Sequence, residues 1–238
     1  MNTVATESRP DGYVITPPAQ AILSIAGSEE QFPVHRVYCV GRNYAAHAVE
    51  MGHDPDKEPP FFFQKNPDNL IPDASSFPYP KASKDVHHEV ELLVALKSGG
   101  EDIAVADALD CVYGYGVSLD MTRRDLQGEM KKLGRPWEIG KAFEKSAPAG
   151  PLYPVSQVGH PVEGDIWLKI NDDMRQSGDL NQMIWKTAEM IAILSTLFTL
   201  QPGDVIMTGT PAGVGPVQRG DRMHAHVAGV GDLQLTVD

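Results

Sequence analysis

Cysteine is scarce: Cys39 and Cys111 stand far apart among apolar neighbours, with neither CxxC nor metal-ligand spacing. That excludes a disulfide scaffold and a thiolate zinc site, and leaves two reduced thiols packed as small hydrophobes. Cations are also in deficit, since 20 Lys+Arg oppose 32 Asp+Glu for a formal net charge of −12. Such a surface repels phosphate backbones and anionic lipid at long range, so nucleic acid is not an expected partner. No apolar run reaches the ~20 residues that span a bilayer, and the opening MNTVATESRPDGY lacks the basic-then-apolar order of a signal peptide. No membrane partner is expected, and the expected location is the cytoplasm.

What is present is ordinary globular material, 42% hydrophobic and 22% charged over 238 residues, enough for one large domain with a modest appendage. Residues 1–34 carry two short β-like stretches, GYVIT and AILSIAG, around Pro17-Pro18, and read as a small β-rich extension. Residues 35–238 read as the catalytic domain, β-rich and α+β. Its strand HRVYCVG runs into a short helix, GRNYAAHAVEM, followed by a Pro-rich loop, EPPFFFQKNPDN. Strands HHEVELLVALK and VYGYGVSLD precede a charged helix, TRRDLQGEMKKL. A hairpin turning at Asn171-Asp172-Asp173, a longest helix over 179–199, and strands in PGDVIMTG, DRMHAHVAG and DLQLTVD complete the chain.

In HHEVELLVAL, Glu89 and Glu91 are two apart, so a strand turns both carboxylates to one face and Val90, Leu92 and Val94 to the other. Like charges side by side repel, and a hard divalent cation between them offsets that cost. Asp120, at the end of the apolar strand VYGYGVSLD, is the candidate third oxygen ligand. Without a Cys/His cluster the pattern favours Mg²⁺ or Mn²⁺ over zinc. The same ExE also suits the solvent face of an edge strand.

His47 and Glu50, three apart in a helix, share a face; a carboxylate that orients an imidazole makes it a general base able to deprotonate water. A surface His beside a surface Glu has the same spacing. His87 and His88 suit either support of the carboxylate cluster or polar strand positions, and His35, His53, His160, His224 and His226 read as surface residues. An acidic chain that binds an anion needs local cations, and Arg42, Arg124 and Lys141 lie in the segments already singled out. Lys141 suits a snorkelling surface position equally well. The glycines of TGTPAGVG let backbone approach a ligand, and its Thr hydroxyls can hold a carboxylate, although a plain turn has the same composition.

The order GRNYAAHAVEM, HHEVELLVAL, SLDMTRRDLQ, GRPWEIGKAF, LQPGDVIMTGTPAGVGPV resembles the fumarylacetoacetate hydrolase family over about residues 35–238. The resemblance implies a mixed β-sandwich roll, a homodimer, and Mg²⁺ or Mn²⁺ held at Glu89, Glu91 and Asp120. It further implies a water-activating pair at His47 and Glu50 on a lid helix, polar active-site groups at Lys141 and Gln127, and a substrate-carboxylate contact at Thr210. EPPFFFQKNPDN and MTRRDLQ…GRPWEIGKAF are similar to the short acylpyruvate hydrolases of that family. The implied activity is metal-dependent hydrolysis of the C–C bond of a small anionic 2,4-dioxo acid, fumarylpyruvate to fumarate and pyruvate, in aromatic catabolism through gentisate. Oxaloacetate decarboxylation is the alternative activity, and a non-catalytic binding module the alternative of another class.

Overall fold

The computed structural model describes residues 12–50 and 59–238, the side chains of Ala48 and Glu50 excepted. Val37–Gly41, Val90–Leu96, Val112–Leu119 and Val205–Met207 are nearly continuous apolar runs, the pattern of strands covered on both faces. They form the middle of an eight-stranded mixed sheet in the order Phe61–Lys65, Val37–Gly41, Val205–Met207, Val90–Leu96, Val112–Leu119, Ala147–Ala149, Leu70–Pro72, with Tyr153–Pro154 paired beside Val112–Leu119. Two pairings, Val205–Met207 with Val37–Gly41 and Ala147–Ala149 with Leu70–Pro72, are parallel.

A five-stranded sheet runs Asp173–Asp179, Asp165–Ile170, Arg222–Val227, Gly231–Val237, Ser76–Phe77. Three of these strands, Asp165–Ile170, Arg222–Val227 and Gly231–Val237, alternate buried with accessible residues, the signature of a sheet with one face on a core. Leu92, Val94, Val117 and Leu119 of the large sheet meet Ile166, Leu168, Ala225 and Leu233 there. The other face of Val90–Leu96 presents Leu93 and Ala95 to a second cluster, which the N-terminal hairpin Ile22–Ser24/Gln31–Pro33 completes with Leu23 and Phe32. Each such buried Leu or Phe contributes roughly 1.5–3 kcal/mol, which binds the hairpin to the sheet. The expected β-rich α+β roll is the fold observed.

Four local expectations are corrected. Phe61–Lys65, expected within a Pro-rich loop, is a strand antiparallel to Val37–Gly41. Three successive aromatics suit a pleated surface, and Pro59-Pro60 fall just before an edge strand, where no ladder donor is lost. Gly12–Thr16 forms no strand: Tyr13, Val14 and Ile15 are exposed, and Pro17-Pro18 cut them off from a sheet edge. HHEVELLVALK is two strands that change partners at Glu89. Val86–His88 pairs with Thr122–Arg123 and Gly215–Pro216, whereas Val90–Leu96 pairs with Val112–Leu119 and Val205–Met207. The longest helix is confined to Thr187–Leu197, because Lys186 N–H is capped by Glu189 Oε2 and the preceding Ile184 and Trp185 are drawn onto Asn43. Among the described residues no helix is long and apolar enough to cross a membrane.

Candidate active site

Glu89, Glu91 and Asp120 converge at the partner-switch of the central strands. Each offers an oxygen within 4.8 Å of the others, and none is more than 5% exposed. The edge-strand alternative for the ExE pair is excluded, because Val90–Leu96 lies between two partners in the middle of the sheet. Burial pushes the Glu91 carboxyl well above the ordinary carboxylate range, and the charges of Asp120 and Glu89 push it further the same way. Burial acts likewise on Glu89, but Lys141, Arg124 and His47 outweigh it and hold that carboxyl below its usual value. Asp120 Oδ1 is buried and accepts no hydrogen bond among the described residues; Lys65 Nζ approaches to 2.9 Å as an ion pair outside hydrogen-bonding directions. Three desolvated carboxylates, one with an orphaned oxygen, are a hard-oxygen donor set that fits a divalent cation.

The basic side chains are threaded among these oxygens. Lys141 Nζ donates to Asp120 Oδ2 at 2.6 Å and Glu89 Oε2 at 2.8 Å. Burial disfavours its charge, yet Asp120 and Glu89 overcome that and raise its pKa, so it is a cation rather than a base, not the snorkelling surface lysine. Arg124 Nη2 pairs with Glu89 Oε1, Nη1 donates to Gln127 Oε1 at 2.6 Å, and Nε donates to His87 Nδ1 at 3.3 Å. His87 in turn meets Asp85 Oδ1 at 2.9 Å, so it orients the guanidinium. Gly140 brings the short helix Glu138–Lys141 against the helix Arg124–Lys132: a Cβ there would lie 2.8 Å from Gln127 N. That approach sets Gln127 and Lys141 side by side.

Thr210 is held by a residue with no local signal in the sequence. Gln176, the one buried residue of the polar strand Asp173–Asp179, donates from Nε2 to Thr210 Oγ1 (2.7 Å) and Pro211 O (2.8 Å). Its Oε1 accepts from Val90 N (3.0 Å) and bonds His88 Nδ1 (2.9 Å). Burial pushes His88 down to about 4, so it is neutral and supports the cluster only through Gln176. Gly209, at φ +94°, donates its N–H to Glu91 Oε2 at 2.8 Å. A side chain there would be strained, and its Cβ would come within 2.7 Å of Asn43 Cβ. Asn43, buried, clamps the start of the helix Ala45–Glu50: its Nδ2 reaches Thr208 O and Trp185 O, and its Oδ1 accepts from Trp185 N.

His47, on that helix, is 6% exposed and lines one cavity with the three carboxylates, Arg42, Arg124, Gln127, Lys141 and Thr210. Arg42, at φ +58°, lies with its guanidinium 5.0 Å from the Phe61 ring centre. Glu50 closes the helix, but its side chain lies outside the described residues, as does His53. The remaining histidines bind elsewhere: His35 to Asp204, His160 to the Tyr115 hydroxyl, and both His224 and His226 to Asp232. Half-buried His160, His224 and His226 are thus more enclosed than surface residues.

Lys65, Gln176 and Asn43 escaped the sequence reading. Lys65, 2% exposed, also donates to Lys141 O and to Ser146 Oγ at 2.9 Å. The alternation Phe61, Phe63, Lys65 places it on one face of the edge strand, a pattern masked by the flanking prolines.

The fumarylacetoacetate hydrolase C-terminal family matches residues 36–238. The crystal structure of fumarylpyruvate hydrolase from Pseudomonas aeruginosa, in complex with Mn²⁺ and pyruvate, is 52% identical and superposes with a TM-score of 0.93, over 94% of this chain and 98% of that one. The mitochondrial oxaloacetate tautomerase FAHD1 of Mus musculus is 41% identical over 84% of this chain and 90% of its own length. Oxaloacetate tautomerase FAHD2 of Oryza sativa is 39% identical over 85% and 90%.

Proposed function

Because the chain belongs to the fumarylacetoacetate hydrolase family, we propose that it hydrolyses the C–C bond of an acylpyruvate, with fumarylpyruvate as substrate and Mg²⁺, or Mn²⁺ in its place, as resident cation. The observation that carries this reading is the buried Glu89–Glu91–Asp120 cluster sharing one cavity with His47 and with the donors Arg124, Gln127, Lys141 and Thr210. Such a cavity offers an acid-held cation, a base and anion-binding groups to one small substrate. The Mn²⁺ and pyruvate in the Pseudomonas aeruginosa structure agree with it.

A divalent ion held by Glu89, Glu91 and Asp120 supplies Lewis-acid polarisation of the 2-oxo group and neutralises the charge of the departing enolate. Arg124, Gln127 and Thr210 hold the substrate carboxylate and fix its register in the cavity. His47, oriented by Glu50, takes a proton from water, and the hydroxide adds to the acyl carbonyl. In this reading His47 is the base, since Lys141 is held as a cation by Asp120 and Glu89. Of the three N–H donors of Lys141, two serve those carboxylates and one remains for the oxyanion. The C–C bond then breaks with its electron pair on the pyruvyl carbon. That carbon takes a proton, so acylpyruvate and water give a carboxylic acid and pyruvate, with every atom accounted for. The enzyme is proposed to act as a cytoplasmic homodimer.

A second reading is favoured by the relatives named as oxaloacetate tautomerases. Oxaloacetate presents the same 2-oxo carboxylate head, and its enol chemistry or decarboxylation needs no attacking water. Chelator-stripped protein offered fumarylpyruvate and oxaloacetate separately, before and after Mg²⁺ is restored, separates the two. Mg²⁺-dependent release of fumarate with pyruvate is the expected result; turnover of oxaloacetate alone contradicts the hydrolase reading.

A further inference from the structure

The inner cavity, about 40 Å³, is too small to enclose a whole acylpyruvate. Arg42, Phe61, Phe63 and Trp137 also line a second cavity of about 590 Å³, within the ~300–1,000 Å³ usual for small-molecule sites. Two chambers therefore share an aromatic wall. Trp137 stands edge-on to Phe61 at 5.3 Å and lies 6.0 Å from Phe63. Phe63 carries Lys141 Nζ at 5.1 Å from its ring centre, so its ring reaches back to the carboxylate cluster. Flat faces of this kind accept a planar unsaturated chain better than a branched saturated one.

The outer chamber is also lined by basic side chains. Among the described residues that line it, Arg42 and Arg135 are the cations and Glu138 is the one carboxylate, in a chain whose formal net charge is −12. Arg135 follows the helix Arg124–Lys132, is fixed through its N–H to Met130 O at 2.9 Å, and has no carboxylate within 4.0 Å among the described residues. Its guanidinium is exposed and available to an anion.

We infer that the outer chamber is a distal-carboxylate subsite, taking acyl halves that are planar and end in a carboxylate, with Arg135 as the anion receptor and Trp137 as the stacking wall. The inference rests on the acylpyruvate reading and deepens it: the pyruvyl head occupies the inner chamber, and the acyl arm crosses the shared aromatic wall.

The test compares kcat/KM for fumarylpyruvate, whose acyl arm is anionic, with that for acetylpyruvate, whose arm is neutral and short. Loss of a charge-assisted hydrogen bond predicts that Arg135→Ala lowers the fumarylpyruvate-to-acetylpyruvate ratio about 10-fold or more, mainly through KM. Arg135→Lys, which keeps the charge, restores part of it. A ratio unchanged in Arg135→Ala overturns the subsite even though the wild type hydrolyses both compounds. A wild type that hydrolyses neither overturns the underlying reading first, so the two failures are distinguishable.

Discussion

Replacing Glu91 by Gln produces opposite effects in the cation-free and cation-loaded protein. Glu91 stands with Glu89 and Asp120 within 4.8 Å, and at an effective dielectric of about 20 each unit-charge pair at that separation costs roughly 3 kcal/mol. Part of this is relieved already by the raised Glu91 pKa, and Glu91→Gln also forfeits the attraction of Lys141. A net gain of about 1–2 kcal/mol remains, and the amide oxygen can still accept the Gly209 N–H. At about 2–4 °C per kcal/mol for a domain of this size, the cation-free Tm should rise by roughly 2–8 °C. Mn²⁺ at about 100 times the wild-type Kd adds ~2.7 kcal/mol to the wild type. A site weakened about 100-fold gains only ~0.4 kcal/mol at the same concentration. Thermal melts of both proteins, with chelator and with Mn²⁺, should therefore cross. A lower cation-free Tm combined with a preserved Mn²⁺ shift in the variant refutes the reasoning.

Three further outcomes follow from the same geometry. His47→Ala should lower acylpyruvate hydrolysis about 10²–10⁴-fold while sparing any oxaloacetate decarboxylation relative to it; equal losses in steady-state assays of both would deny His47 its role as base. Gln176→Leu strands His88, Val90 N–H and Thr210, and at about 1–3 kcal/mol for each group left unsatisfied it should destabilise the fold by several kcal/mol in urea melts. A cost under about 1 kcal/mol would show that Gln176 positions nothing. Because the Glu91 pKa is raised, the cation-free protein retains a proton there above the ordinary carboxylate range, and a divalent ion must expel it. Calorimetry in buffers of differing ionisation enthalpy should thus show proton release on Mg²⁺ binding, with affinity falling as pH drops through that raised pKa. Binding without proton release, at pH-independent affinity, would contradict it.

Continuous apolar runs made Val37–Gly41, Val90–Leu96 and Val112–Leu119 legible as strands, because a strand buried on both faces has no alternation to hide. The turn at Asn171-Asp172, both at positive φ, announced the hairpin that contains the polar strand Asp173–Asp179. Phe61–Lys65 was hidden by the prolines around it, and Lys65 with it. The residues of the carboxylate cluster could be picked out, but their burial could not. ExE alternates identically on an edge strand and on a central one, and only the order of the sheet decides between them. Gln176 and Asn43 were beyond local reading altogether, since the hydrogen bonds that define them join positions up to 165 residues apart. The chambers on either side of Phe61, Phe63 and Trp137 likewise exist only once a strand and a short helix are packed together.

The most direct test of C–C hydrolysis is isotopic. The Mg²⁺-loaded protein turns over fumarylpyruvate in H₂¹⁸O, and the products are weighed by mass spectrometry. Attack of a His47-activated water on the acyl carbon predicts one ¹⁸O in the fumarate carboxylate for each pyruvate released. Pyruvate formed without label in fumarate would contradict it.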